Sequence, residues 1–322
     1  MKYVLGFVLI AVIGLAVVMA LLIVLGGPAQ PAPVASINAP FKQVDYSDLP
    51  ALAHYTARDD TALGFRLYPP EGDSVKGSVI LLHGSSADSR SMHPLAKAFA
   101  ADGYTAYTLD VRGHGQSGTK GDTDYIGQLE DDLEAFMDDI EPAEPATLVG
   151  FSSGGGFALR MAGSQRQQLF SRYLLLSPFI SQNAPTYRDN GSDWMNLGLP
   201  RYIAITLLNA AGIRHFNHLP VIRFALDDAA RETLTPAYSY ALAQNYRPRP
   251  DYQATIRSVY QPLRVVAGQE DELLHTERFS DVFNAAGKDV PVTLVPSINH
   301  IGLTLEPQGI QAAVNALRQL AH

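Results

Sequence analysis

The turn Gly-Phe-Ser-Ser-Gly at residues 150–154 constrains this chain more than any other feature. It follows a short apolar run at 146–149 and precedes a run at 157–162 that is compatible with a helix. In that context the pattern predicts a strand, a sharp turn and a helix, with the Ser152 hydroxyl raised above a sheet. Because Ser153 would begin the helix, its free N–H would face whatever reacts at Ser152. Taken alone, the pattern is equally compatible with a purely structural glycine-rich turn.

Further turn motifs follow other predicted strands. The run 79–82 ends in His-Gly-Ser-Ser at 83–86, and the run 104–110 leads into Arg-Gly-His-Gly at 112–115. Later, the run 263–268 precedes Asp271, and the run 292–295 leads to His300. Because functional groups gather at the carboxyl ends of parallel strands, Ser152, Asp271 and His300 are predicted to meet at one edge of a sheet.

With these motifs, residues 55–320 resemble the α/β-hydrolase superfamily, in particular the serine hydrolases that include monoacylglycerol lipases and lysophospholipases. The resemblance implies an α/β fold with a mostly parallel central sheet flanked by helices. It implies Ser152 as nucleophile, His300 as base and Asp271, three residues after a glycine, as the acid that orients His300. Glutamates flank this aspartate at 270 and 272. The oxyanion hole is expected from the N–H groups of Ser153 and Ser85.

Residues 1–26 are predicted to form a transmembrane signal anchor. Residues 3–25 are apolar and uncharged, and about 20 such residues span a bilayer as a helix. Lys2 precedes this run and the next charge is Lys42, so the remainder is expected outside the cytoplasm, in the periplasm if the source is bacterial. Secretion after signal cleavage is the alternative. Residues 27–43, rich in Pro and Ala, are predicted to be a stiff, extended tether.

Residues 44–322 are predicted to form one α/β-hydrolase domain, because strands alternate with helices along most of this stretch. Residues 52–57 and 62–68 predict a hairpin. The segment at about 180–261 interrupts the alternation and predicts an inserted helical cap over the site. It holds the only tryptophan, Trp194, and several apolar runs. Most of these apolar residues are expected to pack the cap onto the core, and a few to line an acyl pocket.

Composition excludes several classes of function. The net charge of −8 gives no electrostatic support for a nucleic-acid partner. The chain has no cysteine, which excludes disulfides, thiol nucleophiles and cysteine metal sites. His215 and His218 have the spacing of a helical metal pair, but they lack a third ligand and are interpreted as cap-surface histidines. Neither a cofactor nor a metal is expected.

The residues leave three interpretations of function. The first is a membrane-anchored serine hydrolase that cleaves carboxylic esters through an acyl-enzyme on Ser152. Its substrate would be a small-molecule or lipid ester, such as a lysophospholipid or a monoacylglycerol, and its partner the membrane. The second is a serine aminopeptidase, thioesterase or acyltransferase that uses the same three residues, since the fold does not decide the substrate. The third is a catalytically silent binding protein.

Overall fold

The computed structural model describes residues 2–72, 74–188 and 194–321. The strands are β1 (Ala53–Thr56), β2 (Ala62–Tyr68), β3 (Ser78–Leu82), β4 (Thr105–Leu109), β5 (Ala146–Phe151), β6 (Arg172–Leu176), β7 (Met195–Leu197), β8 (Pro220–Phe224), β9 (Ala237–Ser239), β10 (Leu263–Gly268) and β11 (Val292–Val295). The α-helices are α1 (Lys2–Leu25), α2 (Ala35–Asn38), α3 (His93–Ala101), α4 (Gln128–Ile140), α5 (Ser153–Ala162), α6 (Leu199–Ala210), α7 (Asp228–Thr233), α8 (Tyr240–Asn245), α9 (Tyr252–Arg257), α10 (Phe279–Ala285), α11 (Gly302–Leu305) and α12 (Pro307–Leu320).

Within the described residues, eight strands form the central sheet in the order β1-β2-β4-β3-β5-β6-β10-β11. Strands β1, β2 and β4 pair antiparallel in succession, and all other neighbours are parallel. Every residue of β3 and β5 is buried, as expected for strands covered by helices on both faces. The predicted α/β fold with a mostly parallel sheet is confirmed, and so is the hairpin of β1 and β2.

Helix α4 illustrates how the sequence pattern produces the helical layers. Its apolar residues Leu129, Leu133 and Phe136 are at most 2% exposed and face the sheet, as their helical spacing predicts. The Phe136 ring lies edge-on to Tyr55 at 5.2 Å and to Phe65 at 5.6 Å between ring centroids. Such edge-to-face contacts add to the stabilisation that burial of the rings provides. Helix α4 therefore packs firmly on the side of the sheet that holds β1 and β2.

The cap between β6 and β10 differs from the predicted helical cap. It contains helices α6 to α9, but it also contains a three-stranded antiparallel sheet in the order β7-β8-β9. These strands are three to five residues long. Runs this short show too little alternation of apolar and polar residues to be separated from loops by sequence.

The N-terminal helix α1 packs against the cap through its last turn. Its residues Tyr3–Leu25 have a mean hydropathy of 3.4, so the helix is long and apolar enough to cross a membrane. The Arg201 guanidinium of α6 donates hydrogen bonds to the carbonyl oxygens of Ile23 at 2.7 Å and Val24 at 3.2 Å. These carbonyls belong to the helix end, where no intrahelical donor remains for them.

The segment predicted as an extended tether is partly helical. Residues 26–34 have no regular structure, whereas α2 and a 3₁₀ turn at Pro40–Gln43 follow directly. Ile37 of α2 is only 6% exposed and joins the hydrophobic core. Burial of this side chain favours a folded segment over a solvated one, which the Pro- and Ala-rich composition did not indicate.

Candidate active site

Ser152 lies at the sharp turn between β5 and α5, with φ of 53° and ψ of −116°. The turn is so tight that a Cβ on Gly150 would lie 2.2 Å from the carbonyl oxygen of Gly154. A Cβ on Gly154 would lie 2.4 Å from the carbonyl oxygen of His83. Only glycine avoids these backbone clashes, so the flanking glycines allow a strained serine to stand at the end of the strand.

His300 and Asp271 follow β11 and β10 and contact each other. Nδ1 of His300 lies 2.7 Å from Oδ2 of Asp271, and both side chains are at most 3% exposed. The N–H groups of Leu273 and Leu274 donate to the other carboxylate oxygen at 2.9 and 3.0 Å. Glu272 accepts instead from the backbone N–H of His300 at 3.0 Å. Of the acids at 270–272, Asp271 is therefore the one hydrogen-bonded to the imidazole.

The charges of this pair shift both pKa values. Burial alone raises the pKa of Asp271, but attraction to His300 and the hydrogen bonds it accepts outweigh burial and lower the pKa. Burial alone lowers the pKa of His300, but the Asp271 carboxylate, with a further contribution from Glu272, outweighs burial and raises the pKa above its ordinary value. An imidazole with a raised pKa is a stronger base, and the hydrogen bond at Nδ1 leaves Nε2 as the nitrogen that can accept a proton.

Ser152, His300 and Ser85 line one cavity of about 300 Å³. The wall around them is mostly apolar and includes Phe151, Trp194, Leu234, Leu273 and Ile301. Within the described residues, Ser152 and His300 share this cavity without a direct hydrogen bond between them. Asp271 lies behind His300, and Ser153 begins α5 directly after Ser152.

The loop that carries Ser85 and Ser86 is held by the cap. The Trp194 indole N–H donates to the Ser85 hydroxyl at 2.9 Å. The backbone N–H of Ser86 donates to the Tyr238 hydroxyl at 2.7 Å, and the Ser86 hydroxyl donates to the Thr235 carbonyl at 2.6 Å. The Ser86 N–H is thus occupied, whereas that of Ser85 has no hydrogen-bond partner among the residues described. This leaves the Ser85 N–H available to a ligand in the cavity.

The Arg-Gly-His-Gly turn supports the same loop through Tyr238. Nδ1 of His114 lies within 3.2 Å of two carbonyl oxygens of its own turn, and Nε2 lies 2.6 Å from the Tyr238 hydroxyl. Burial holds the pKa of His114 well below its ordinary value, so the ring is neutral, donates from Nδ1 and accepts from Tyr238 at Nε2. Arg112 donates two hydrogen bonds, both of 2.8 Å, to the Asp132 carboxylate. Both side chains of the motif therefore hold other parts of the structure in place, as a structural role requires.

Comparison with known families assigns the chain to a family. A family model described as serine aminopeptidase, S33 matches residues 73–308. The chain belongs to the S33 serine aminopeptidase family. The matched range contains the serine turn, Asp271 and His300, and the predicted resemblance to the α/β-hydrolases is confirmed.

Individual relatives of this S33 member match shorter parts of the chain. A monoacylglycerol lipase of Mycolicibacterium smegmatis is 29% identical over 123 residues, which are 36% of this chain and 42% of that protein. A dihydrolipoyllysine-residue acetyltransferase component of an acetoin cleaving system, from Cupriavidus necator, is 32% identical over 45% of this chain and 37% of its own. The chain thus spans about two fifths of the length of these relatives.

A solved structure extends the similarity of the fold across most of the S33 member. A soluble variant of monoglyceride lipase from Saccharomyces cerevisiae, in complex with a substrate analog, has a TM-score of 0.65 and 20% sequence identity. The alignment covers 87% of this chain and 96% of that one. At this identity the likeness establishes the fold, and the chemistry has to be argued from the site itself.

Several residues of this S33 site had no signal in the sequence. Trp194, Tyr238 and Thr235 reach the serine loop from the cap, more than 100 residues away along the chain. His215 and His218 are exposed on the cap surface, and no group of three or more metal-ligating side chains lies together among the residues described. The site therefore consists of a serine, a buried histidine–aspartate pair and a cap-held loop.

Proposed function

We propose that this chain is a membrane-anchored serine hydrolase that cleaves carboxylic esters, with monoacylglycerols or lysophospholipids as substrates. The observation that supports it most is the buried His300–Asp271 pair, which shares an apolar cavity with Ser152. A hydroxyl needs a base to become a nucleophile, and an imidazole held by a carboxylate is the base that such sites use. Ser152, His300 and Asp271 are therefore proposed as nucleophile, base and orienting acid.

In the proposed acylation step, the Ser152 oxygen attacks the ester carbonyl carbon while its proton passes to Nε2 of His300. The carbonyl oxygen becomes negative and accepts hydrogen bonds from the N–H groups of Ser85 and Ser153. The tetrahedral intermediate then collapses, the alcohol leaves with the proton from His300, and the acyl group remains on Ser152. Asp271 stabilises the imidazolium that exists between the two proton transfers.

In the proposed deacylation step, water attacks the acyl-enzyme and transfers a proton to Nε2 of His300. A second oxyanion forms in the same hole and collapses to release the carboxylic acid, while the proton returns to the Ser152 oxygen. The apolar wall around Ser152 suits an acyl chain better than a charged or peptide substrate, because burying unpaired polar groups is costly. The similarity to a monoacylglycerol lipase points to the same substrate class.

Membrane anchoring is proposed from α1 and its surroundings. The outward face of α6, beside the last turn of α1, carries the exposed side chains of Leu199, Ile203 and Leu207 and no charge. An uncharged, apolar helix face next to a helix that can span a bilayer suits the membrane interface. We propose residues 1–26 as the anchor, with the domain at 44–322 on the extracytoplasmic side. Secretion after cleavage remains the alternative.

Hydrolysis of glycerol monoesters by the full chain in detergent tests the proposed reaction. We expect turnover by the wild type and by Ser153→Ala, which keeps the backbone N–H, and loss of turnover by at least 10³-fold in Ser152→Ala. Unchanged turnover by Ser152→Ala, or hydrolysis of no ester by the wild type, would overturn the proposal. Aminoacyl amides, acyl thioesters and alcohol acceptors in the same assay distinguish the aminopeptidase, thioesterase and acyltransferase alternatives.

Topology is testable because the chain contains no cysteine. A single exposed Glu71→Cys substitution gives the domain one reactive thiol, and Ala158→Cys provides a buried control. If the domain lies outside the cytoplasm, a membrane-impermeant maleimide labels the Glu71→Cys variant in intact cells. Labelling only after the cells are broken would place the domain in the cytoplasm and contradict the proposed orientation.

A further inference from the structure

We propose that residues 35–46, the wall segment, form one side of the substrate cavity, and that Ile37 and Phe41 set the acyl-chain length that the cavity accepts. This inference rests on the proposed function. Residues 35–46 precede the range matched by the family, which begins at 73. The family match therefore assigns no role to the wall segment.

The side chains of the wall segment reach the cavity directly. Ile37, Phe41, Lys42 and Tyr46 line the same cavity as Ser152. Ile37 is 6% exposed, and Phe41 is half-buried against the hydrophobic core. Apolar side chains that bound a pocket determine how many methylene groups of a substrate find room and contact.

Hydrogen bonds along the cap hold the chain that leads to the wall segment. The Ala29 N–H donates to Oδ1 of Asn196 at 2.8 Å, and the Gln30 amide donates to the carbonyl oxygen of Phe224 at 3.0 Å. The Val34 N–H donates to the carbonyl oxygen of Ala225 at 3.1 Å. This stretch therefore contacts β7 and the end of β8 on its way from α1 to the cavity, which fixes where the wall segment begins.

An ion pair joins the wall segment to the start of helix α7, which also lines the cavity. Nζ of Lys42 lies 2.9 Å from Oδ2 of Asp227. Oδ1 of the same aspartate accepts from the Ala230 N–H at 2.8 Å, as the N-cap of α7. Helix α7 contributes Ala230 and Thr233 to the cavity wall. Lys42 and Asp227 thus connect the wall segment to the start of α7, and both side chains are at least partly exposed.

Chain-length preference of the full-length protein in detergent tests the inference. We compare kcat/KM for glycerol monoesters from butyrate to palmitate in the wild type, Ile37→Ala and Phe41→Ala. Val34→Ala is the control, because this residue lies just before the wall segment and does not line the cavity. We expect each cavity variant to raise the palmitate-to-butyrate ratio about tenfold, since each removes atoms that limit the chain, while Val34→Ala keeps the wild-type ratio.

A binding measurement separates this inference from the proposed reaction. Trp194 is the only tryptophan and lines the cavity, so its fluorescence reports on occupancy. We combine Ser152→Ala with Ile37→Ala, Phe41→Ala or Val34→Ala and titrate each protein with monoalkyl glycerol ethers from butyl to hexadecyl. In the Ile37→Ala and Phe41→Ala proteins we expect the ratio of hexadecyl to butyl affinity to rise about tenfold. If no ester is hydrolysed but this change appears, the proposed function fails and the inference stands. Equal effects on all chain lengths, a profile like that of Val34→Ala, or no response to any ether overturns the inference.

Discussion

Nδ1 of His300 contacts Oδ2 of Asp271 at 2.7 Å, with the histidine side chain 3% exposed and the aspartate side chain 0% exposed. The aspartate keeps its negative charge because attraction to His300 and their hydrogen bond lower its pKa, and two backbone N–H groups also donate to it. A charged carboxylate in contact with the imidazole favours the protonated ring, which is why the pKa of His300 is raised although burial alone would lower it. This contact contributes most to raising the pKa of His300, and the Glu272 carboxylate adds to it.

The first prediction concerns the pH dependence of ester hydrolysis. His300 must be neutral to accept a proton, so kcat/KM should rise with pH through the pKa of His300. Because that pKa is raised, the midpoint should lie above about 6.5, the ordinary histidine value. In Asp271→Asn the larger of the two charges that raise this pKa is gone, so the midpoint should move to lower pH while kcat falls on the order of 10⁴-fold.

The measurement is a pH–rate profile for one soluble ester, with Glu270→Gln as the control because this neighbouring acid is not hydrogen-bonded to His300. The control should keep the wild-type midpoint. A midpoint that is the same in the wild type and in Asp271→Asn would contradict the assignment of Asp271 as the partner of His300.

The second prediction concerns the glycine of the serine turn. In Gly154→Ala the new Cβ would meet the carbonyl oxygens of His83 and Leu82 at 2.4 and 2.7 Å, so strand β3 and helix α5 must separate. We expect the free energy of unfolding to fall by about 1–3 kcal/mol, the usual cost of overpacking. Urea denaturation measures this change, and Ser153→Ala, at the adjacent position, should stay within about 0.5 kcal/mol of the wild type. Equal stability of the two variants would contradict the steric argument.

The third prediction concerns Trp194 as a residue that positions the serine loop. Trp194→Phe removes the N–H that donates to the Ser85 hydroxyl at 2.9 Å but keeps an aromatic ring. We expect kcat to fall roughly threefold to tenfold with little change in KM, as for the loss of one hydrogen bond that orients a transition-state donor. Ser85→Ala should give a similar loss, and the double variant should lose no more than either alone. Fully additive losses would show that the two residues act independently.

The fourth prediction concerns the contact between α1 and the cap. Arg201→Met removes the guanidinium that donates to Ile23, Val24 and Pro220. The freed carbonyl groups lose their partners, so residues 26–34 should exchange amide hydrogens at least tenfold faster in hydrogen-exchange mass spectrometry. Arg214→Met, an exposed arginine of the same cap, should leave this exchange unchanged. Identical exchange in the wild type and both variants would contradict the prediction that Arg201 holds residues 26–34 in place.

Much of the fold and part of the site were predictable because their signals are local. Ser152, Asp271 and His300 each follow a recognisable strand, and parallel strands bring their carboxyl ends together whatever lies between them. The Trp194–Ser85 contact joins residues 109 positions apart and leaves no periodic pattern. Ile37 and Phe41 could not be predicted as cavity residues, because the Pro- and Ala-rich stretch around them indicated an extended tether, whereas the structure buries Ile37 in the core.

The intact mass of the full chain before and after treatment with a fluorophosphonate tests the central claim most directly. An activated serine displaces fluoride from the reagent and keeps the phosphonyl group, whereas ordinary serines do not react. We predict one adduct on the wild type and on Ser153→Ala, and none on Ser152→Ala. An adduct that persists in Ser152→Ala, or a folded wild type that gains no adduct, would contradict the assignment of Ser152 as the nucleophile of a serine hydrolase.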